Sequence, residues 1–115
     1  MDHSCLVIPI LPGKTDAARA FQREVDTTRK ADYARTERRL GVTREYWFIA
    51  ELPGGDQFVV NFDSPDVNQV MSGFVESQDP FDLWFKDQVR EVTGLDLNNP
   101  PADMKLPELV STYEA

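Results

Sequence analysis

Residues 44–63 constrain the fold more than any other stretch of this chain. Arg44 to Leu52 (REYWFIAEL) and Gln57 to Asp63 (QFVVNFD) are rich in aromatic and β-branched residues, and Pro53-Gly54-Gly55-Asp56 between them is hairpin chemistry. An antiparallel pair of strands follows, and the remaining elements must be arranged around it. The register stays open, because two-residue and three-residue loops pair opposite parities of the strands. Phe58, Val60 and Phe62 therefore share a face either with Trp47 and Ile49 or with Tyr46, Phe48 and Ala50.

Ahead of the hairpin, Ser4 to Leu11 (SCLVIPIL) is a short apolar run closed by Pro12-Gly13, which reads as a first strand. Pro9 has no amide hydrogen for a ladder, so this strand belongs at an edge or at a bulge. From Thr15 to about Arg39 there is neither proline nor glycine, and one long helix is expected, capped near Thr15 and Asp16 and stopped by Gly41. Its stripe runs through Ala18, Phe21, Val25, Thr28, Asp32, Thr36 and Leu40 and is polar in the middle. Ser64-Pro65-Asp66 opens a second helix, with Ser64 as its cap, and Asp79-Pro80-Phe81-Asp82 opens a third that Gly94 ends. Leu95 to Pro107 is a loop by composition, and the alternation in Glu108 to Tyr113 predicts a last short strand. The order is βαββααβ, a single α+β domain over residues 1–115 with a four-stranded antiparallel sheet and helices on one face.

Charge narrows the function classes. Twenty acidic against twelve basic residues give a net charge of -8, which repels phosphate backbones and anionic membranes, so neither nucleic acid nor membrane is an expected partner. The apolar run Leu6 to Leu11 is too short for a signal or a membrane span. Cys5 is the only cysteine and sits in an apolar strand, which suits a packing role and a reducing, cytoplasmic setting. His3 is the only histidine, so sites needing two imidazoles are excluded. Gly13-Lys14-Thr15 ends like a phosphate-binding loop, but Ile8 stands where that motif needs glycine, and a plain turn and helix start is the better reading. Asp79 and Asp82 occupy capping positions and are read as such, so no metal site is expected.

The element order, the PGKTD stretch at Pro12 to Asp16, the GGDQFVV arm from Gly54 to Val60 and the SQDPFDLWF run from Ser77 to Phe85 together resemble the dimeric α+β barrel superfamily of ferredoxin-like folds, most of all its uncharacterised bacterial branches. The resemblance implies a homodimer in which two sheets pack together and cover each other's bare face. It also implies that chemistry such as cofactor-free oxygenation, haem degradation, isomerisation or lactone formation is within reach of the fold, which selects none of these. The superfamily's haem proteins use a histidine well inside the chain, and with only His3 present haem is disfavoured; no tightly held cofactor is expected.

The residues that could line a site for a small organic ligand are Glu45, Trp47, Asn61, Arg29, Asp32, Tyr33 and Trp84. Aromatic side chains with a few polar groups suit such pockets, and Glu45 or Asn61 on the strands with Arg29 or Asp32 on the first helix would supply acid and base to a carbonyl compound. The competing reading makes the aromatics core or dimer interface and the polar groups surface. Two functions follow: a small-molecule protein, enzymatic or not, with its ligand inside each protomer, or a dimeric interaction protein with no ligand. No catalytic residue can be named from the sequence.

Overall fold

The computed structural model describes residues 1–115. Three strands, β1 (Asp2–Pro9), β2 (Arg44–Leu52) and β3 (Gly55–Ser64), form an antiparallel sheet in the order β1-β3-β2. Four helices accompany them: α1 (Thr15–Asp26), α2 (Lys30–Leu40), α3 (Val67–Glu76) and α4 (Pro80–Thr93). An α+β fold with an antiparallel sheet is therefore present; it settles the open register and departs from the sequence reading elsewhere.

First, the hairpin turns on Pro53-Gly54 alone, with Leu52 opposite Gly55, and this fixes the register. Gly55 takes a φ of +130°, a conformation side chains other than glycine's seldom adopt. Val60 then faces Trp47 and Leu6, and Phe58 faces Ile49 and Ile8. Since alternate residues point to opposite sides, Glu45, Trp47 and Ile49 share the helix-covered face with Phe58, Val60 and Phe62. Tyr46, Phe48, Val59, Val7 and Asn61 point the other way.

Second, the long helix is two helices. Thr27 and Thr28 are adjacent β-branched residues whose hydroxyls bond back to the Arg23 and Glu24 carbonyls, at 2.7 and 3.5 Å. Such local bonds compete with the helical ladder. The Arg29 amide reaches back five residues to the Glu24 carbonyl, and α2 restarts from there. As a result α1 buries Ala18, Phe21 and Val25, while α2 buries Thr36 and Leu40 on a separately aimed face. Gly41, at a φ of +86°, ends α2 as the sequence predicts.

Third, Glu108 to Tyr113 form no strand. The groove along β1, where a fourth strand would lie, is bordered by Thr93, Gly94, Leu95, Met104 and Lys105. Leu97 is buried and Leu95 and Met104 pack on the core, so the loop itself covers that side, and the tail with Leu109, Val110 and Tyr113 is exposed.

The helix starts also sort differently. Ser64 is the last residue of β3, and Asp66 is the cap of α3, accepting from the Asn68 and Gln69 amides. Asp79 caps α4, accepting from Phe81 N at 2.9 Å, with Pro80 in the first turn. Asp82 is the first-turn acid of α4 that the sequence predicts, but its carboxylate does not serve the helix end. It is wholly buried and accepts from Thr36 Oγ1 at 2.7 Å, from Ser77 Oγ and from Arg39, tying α4 to α2. Lys86, one turn further, is equally buried and donates to the carbonyls of Phe74, Val75 and Ser77 at 2.9, 3.2 and 3.0 Å. Its ammonium thus closes the end of α3, where unpaired carbonyls and the helix dipole both favour a cation.

Between sheet and helices the core is largely aromatic. The Phe85 ring stands 4.9 Å from Phe21, 5.5 Å from Trp47 and 5.7 Å from Phe74, and it stacks on Tyr33 at 6.1 Å. These contacts set Tyr33 and Trp47 side by side at the inner edge of β2.

Candidate functional site

The restart at Lys30 places Tyr33 and Glu37 one turn apart on the side of α2 that overlies β2, and there they meet Glu45. Tyr33 donates its hydroxyl to Glu45 Oε1, and the Trp47 indole donates to the same oxygen at 2.8 Å. Glu45 and Trp47 are two apart on β2 and so lie on one face, which is why the indole can reach the carboxylate.

Three of these side chains form a partition. On one side of Tyr33, Glu45 and Trp47 lies an apolar cavity of about 60 Å³, walled by Leu6, Leu40, Val60, Phe62, Phe74 and Phe85 among others, with Glu37 at its margin. On the other side an open cleft of about 500 Å³ runs between the end of α1 and β2, bounded by Gln22, Arg23, Val25, Asp26 and Tyr46. The cavity is far smaller than sites for organic ligands, which span several hundred Å³, whereas the cleft falls in that range.

Electrostatics follow from two carboxyl groups close together out of water. Burial, then the neighbouring Glu45 charge, push the Glu37 carboxyl up to about 9. Burial raises Glu45 as well, and its bonds from Tyr33 and Trp47 offset that only in part. The Glu45 charge is among the causes that raise Glu37, so Glu45 gives up its proton first and Glu37 holds the last one. Glu37 Oε2 has no donor to meet as a carboxylate; protonated, it becomes a donor itself. Burial and the adjacent Glu45 and Glu37 charges drive the Tyr33 phenol well above its ordinary range, so it stays a neutral O–H donor. The arrangement is a buried carboxyl group with two neutral donors on one of its oxygens, in a wall that borders a cleft.

The structure brings Glu45, Trp47 and Tyr33 together and leaves the other sequence-derived candidates elsewhere. Asn61 lies on the opposite face of the sheet, exposed, because it pairs with Tyr46 rather than standing among the inward residues. Asp32 pairs with Arg35 at 2.9 Å at the surface of α2. Arg29 bonds Glu24 at 2.8 Å and lies over the Trp84 ring at 3.9 Å, a cation–π contact that shields the outer side of the core. Trp84 packs on Phe21 and Phe81 and borders neither cavity nor cleft. His3, on the open face, contacts Asp63 at 2.7 Å. Lys14 pairs with Glu91 at 3.0 Å.

Glu37 and Gln22 were not visible as site residues in the sequence. Both sit off the stripe drawn for one continuous helix. Only the break at Thr27 to Arg29 shows that Tyr33 and Glu37, four apart, belong to a stripe of their own. No three of the His, Cys, Asp and Glu side chains gather where a metal ion could be held, and no helix is long and apolar enough to cross a membrane.

No protein-family model matches the sequence, and no curated protein matches it. Among solved structures, the chain is similar to tetracenomycin F2 cyclase from Streptomyces glaucescens, described as a type II polyketide cyclase. The two superpose with a TM-score of 0.60 at 16% identity, over 100% of this chain and 99% of that one. They share a fold. At that identity the likeness speaks for the architecture, an α+β fold of the kind the sequence resemblance implied, and not for shared chemistry.

Proposed function

We propose that this protein binds a small organic compound in the cleft between α1 and β2 and catalyses proton transfer on it without a cofactor, as a cyclase or isomerase of 1,3-dicarbonyl substrates would require. The observation that carries the reading is Glu45, a carboxyl group in the partition between cavity and cleft, held by Tyr33 and Trp47 with the neutral Glu37 carboxyl beside it.

The chemistry can be followed through in protons. A methylene between two ketones is acidic enough for a carboxylate desolvated as Glu45 is. Glu45 takes the C–H proton, its bond from Tyr33 weakens, and the phenol turns its O–H toward the substrate oxygen that gains charge. In a cyclisation the enolate carbon attacks a second ketone of the same molecule. One C–C bond forms, the C=O electron pair becomes an alkoxide, and Tyr33 supplies its proton, recovering one from Glu45. No electrons are gained or lost, so no redox partner is needed. A polyketide is a chain of such ketones, and the fold shared with a polyketide cyclase favours this substrate class over others that acid and base could serve.

Deuterium exchange into benzoylacetone, a simple aryl 1,3-diketone, tests the reading. The protein is expected to accelerate exchange, and Glu45→Gln to lower the rate by about 100-fold, the low end of what a positioned base contributes. Acceleration unchanged by Glu45→Gln would exclude Glu45 as the base.

A second observation favours a dimer-forming role with or without catalysis. On the open face of the sheet Tyr46 and Phe48 are 53% and 54% exposed beside Val7, an apolar surface with no cover within the chain. We infer that a second copy covers it. A protein that dimerised there but neither bound nor exchanged any diketone would be an accessory protein. The unpaired Cys5 supports a reducing, cytoplasmic setting in either case.

A further inference from the structure

We propose that Gln22 is the oxygen-binding residue of the cleft, donating its side-chain amide to a carbonyl or enolate oxygen of the ligand while Glu45 faces the adjoining C–H. The inference rests on the cleft being the ligand site and adds the residue that selects an oxygenated, 1,3-dicarbonyl type of ligand there.

Gln22 Nε2 is out of reach of water and has no hydrogen-bond partner. A buried amide donor left unpaired is costly and rare in folded proteins, and each case calls for a cause. Here the residue lines the same cleft as Glu45, Tyr33 and Trp47. Its place is set by α1: Phe21 is fixed in the core against Trp47 at 6.4 Å, and the next residue lines the cleft with Arg23, Val25 and Asp26. The last torsion of a glutamine is broad and soft, and turning this amide into the cleft breaks no bond to Nε2. A ligand oxygen entering the cleft is then the partner the protein itself does not supply.

The electrostatics of the wall agree. Glu45 is an acceptor, already engaged by two donors, and offers nothing to a ligand oxygen. Tyr33 is committed to Glu45 until the proton moves. Before that step, Gln22 is the uncharged donor at the cleft with no prior engagement, and a neutral donor stabilises a developing enolate without neutralising the base beside it.

The test uses the full chain, benzoylacetone as probe and butylbenzene as a control of similar bulk without oxygen. Binding is read by Trp fluorescence and by the side-chain amide signals of ¹⁵N-labelled protein, the Gln22 pair being assigned by its loss in Gln22→Leu. Expected results are a shift of the Gln22 amide pair on adding benzoylacetone and about 10-fold weaker binding of benzoylacetone to Gln22→Leu, with butylbenzene bound as by the parent. A structural role for Gln22 would move both ligands alike and would overturn the proposal. Equal benzoylacetone affinity in parent and variant would also overturn it, while leaving the Glu45 reading intact if exchange still depends on Glu45. Gln22-dependent binding without any exchange would uphold the oxygen site and overturn the catalytic reading. Failure of the parent to bind benzoylacetone at all would overturn both.

Discussion

Glu37 and Lys86 show how differently one side chain can be used once it leaves water. Glu37 is held neutral, pushed up to about 9 by burial and by the Glu45 charge. An unfolded glutamate titrates near 4.3, so between that pH and about 9 the native state binds a proton that the unfolded chain has lost. Stability should therefore fall as pH rises through this window, by up to about 1.4 kcal/mol per unit, and the raised Glu45 acts in the same direction. Thermal unfolding at about pH 5.5 and about pH 8.5, both inside that window, is expected to give the lower midpoint at the higher pH. Glu37→Gln should flatten the difference, and an unchanged slope would mean that Glu37 is charged. Lys86 is burdened oppositely: burial lowers its ammonium, yet three carbonyls need its donors. Lys86→Met fills the same space and leaves those carbonyls unpaired, and it should cost about 3 kcal/mol in urea denaturation. A loss below about 1 kcal/mol would show that the end of α3 finds other partners.

At the scale of elements, the break between α1 and α2 does most to create the site. An unbroken helix would carry Thr28 and Asp32 over the sheet; the restart instead turns Asp32 outward to Arg35 and brings Tyr33 and Glu37 over β2. Only two threonines in succession mark the break in the sequence, and threonine occurs inside helices often enough that the signal is weak. The missing strand has a plainer cause. Glu108 to Tyr113 alternates as a strand should, but periodicity describes a segment's capacity to pair and not whether an edge is free to receive it. Along β1 the place is bordered by the loop that buries Leu97 and packs Met104 on the core, and Pro9 removes one donor from that edge. Since the tail is exposed throughout, removing residues 108–115 should change the stability of the isolated protein by no more than about 0.5 kcal/mol. A larger loss, measured by chemical denaturation, would show that the tail pairs in solution.

For the whole molecule the unresolved demand is the open face of the sheet. One side of the sheet meets four helices; the other presents Tyr46, Phe48 and Val7 to water. Large apolar residues gathered on one surface of a small protein favour association. Light scattering should therefore give twice the 13.1 kDa chain mass, and Phe48→Glu should return the protein to a monomer without loss of helix content. A parent of 13.1 kDa at micromolar concentration would sink the second-copy inference. Because Glu45 and Gln22 lie on the covered side or its margin, exchange activity in a monomeric Phe48→Glu variant would place catalysis within one protomer.

Local chemistry determined much of this protein. The strands, the tight turn, the caps at Asp79 and Gly41 and the apolar stripe of α4 follow from residue types a few positions apart, so composition and spacing suffice to read them. The grouping of Glu45 with Trp47 and Tyr33 could be suspected on the same terms. What only the tertiary structure decided was which face each strand residue takes, since a turn shorter by one residue reverses them all. That choice separated Asn61 from Glu45 and set Glu45 inward, where a second carboxyl from α2 meets it. The pairing of Glu37 with Glu45, and of Asp82 with Thr36 and Arg39, joins residues distant in the chain through packing. No local pattern encodes such meetings, because their energy comes from burial that exists only once sheet and helices have closed on one another.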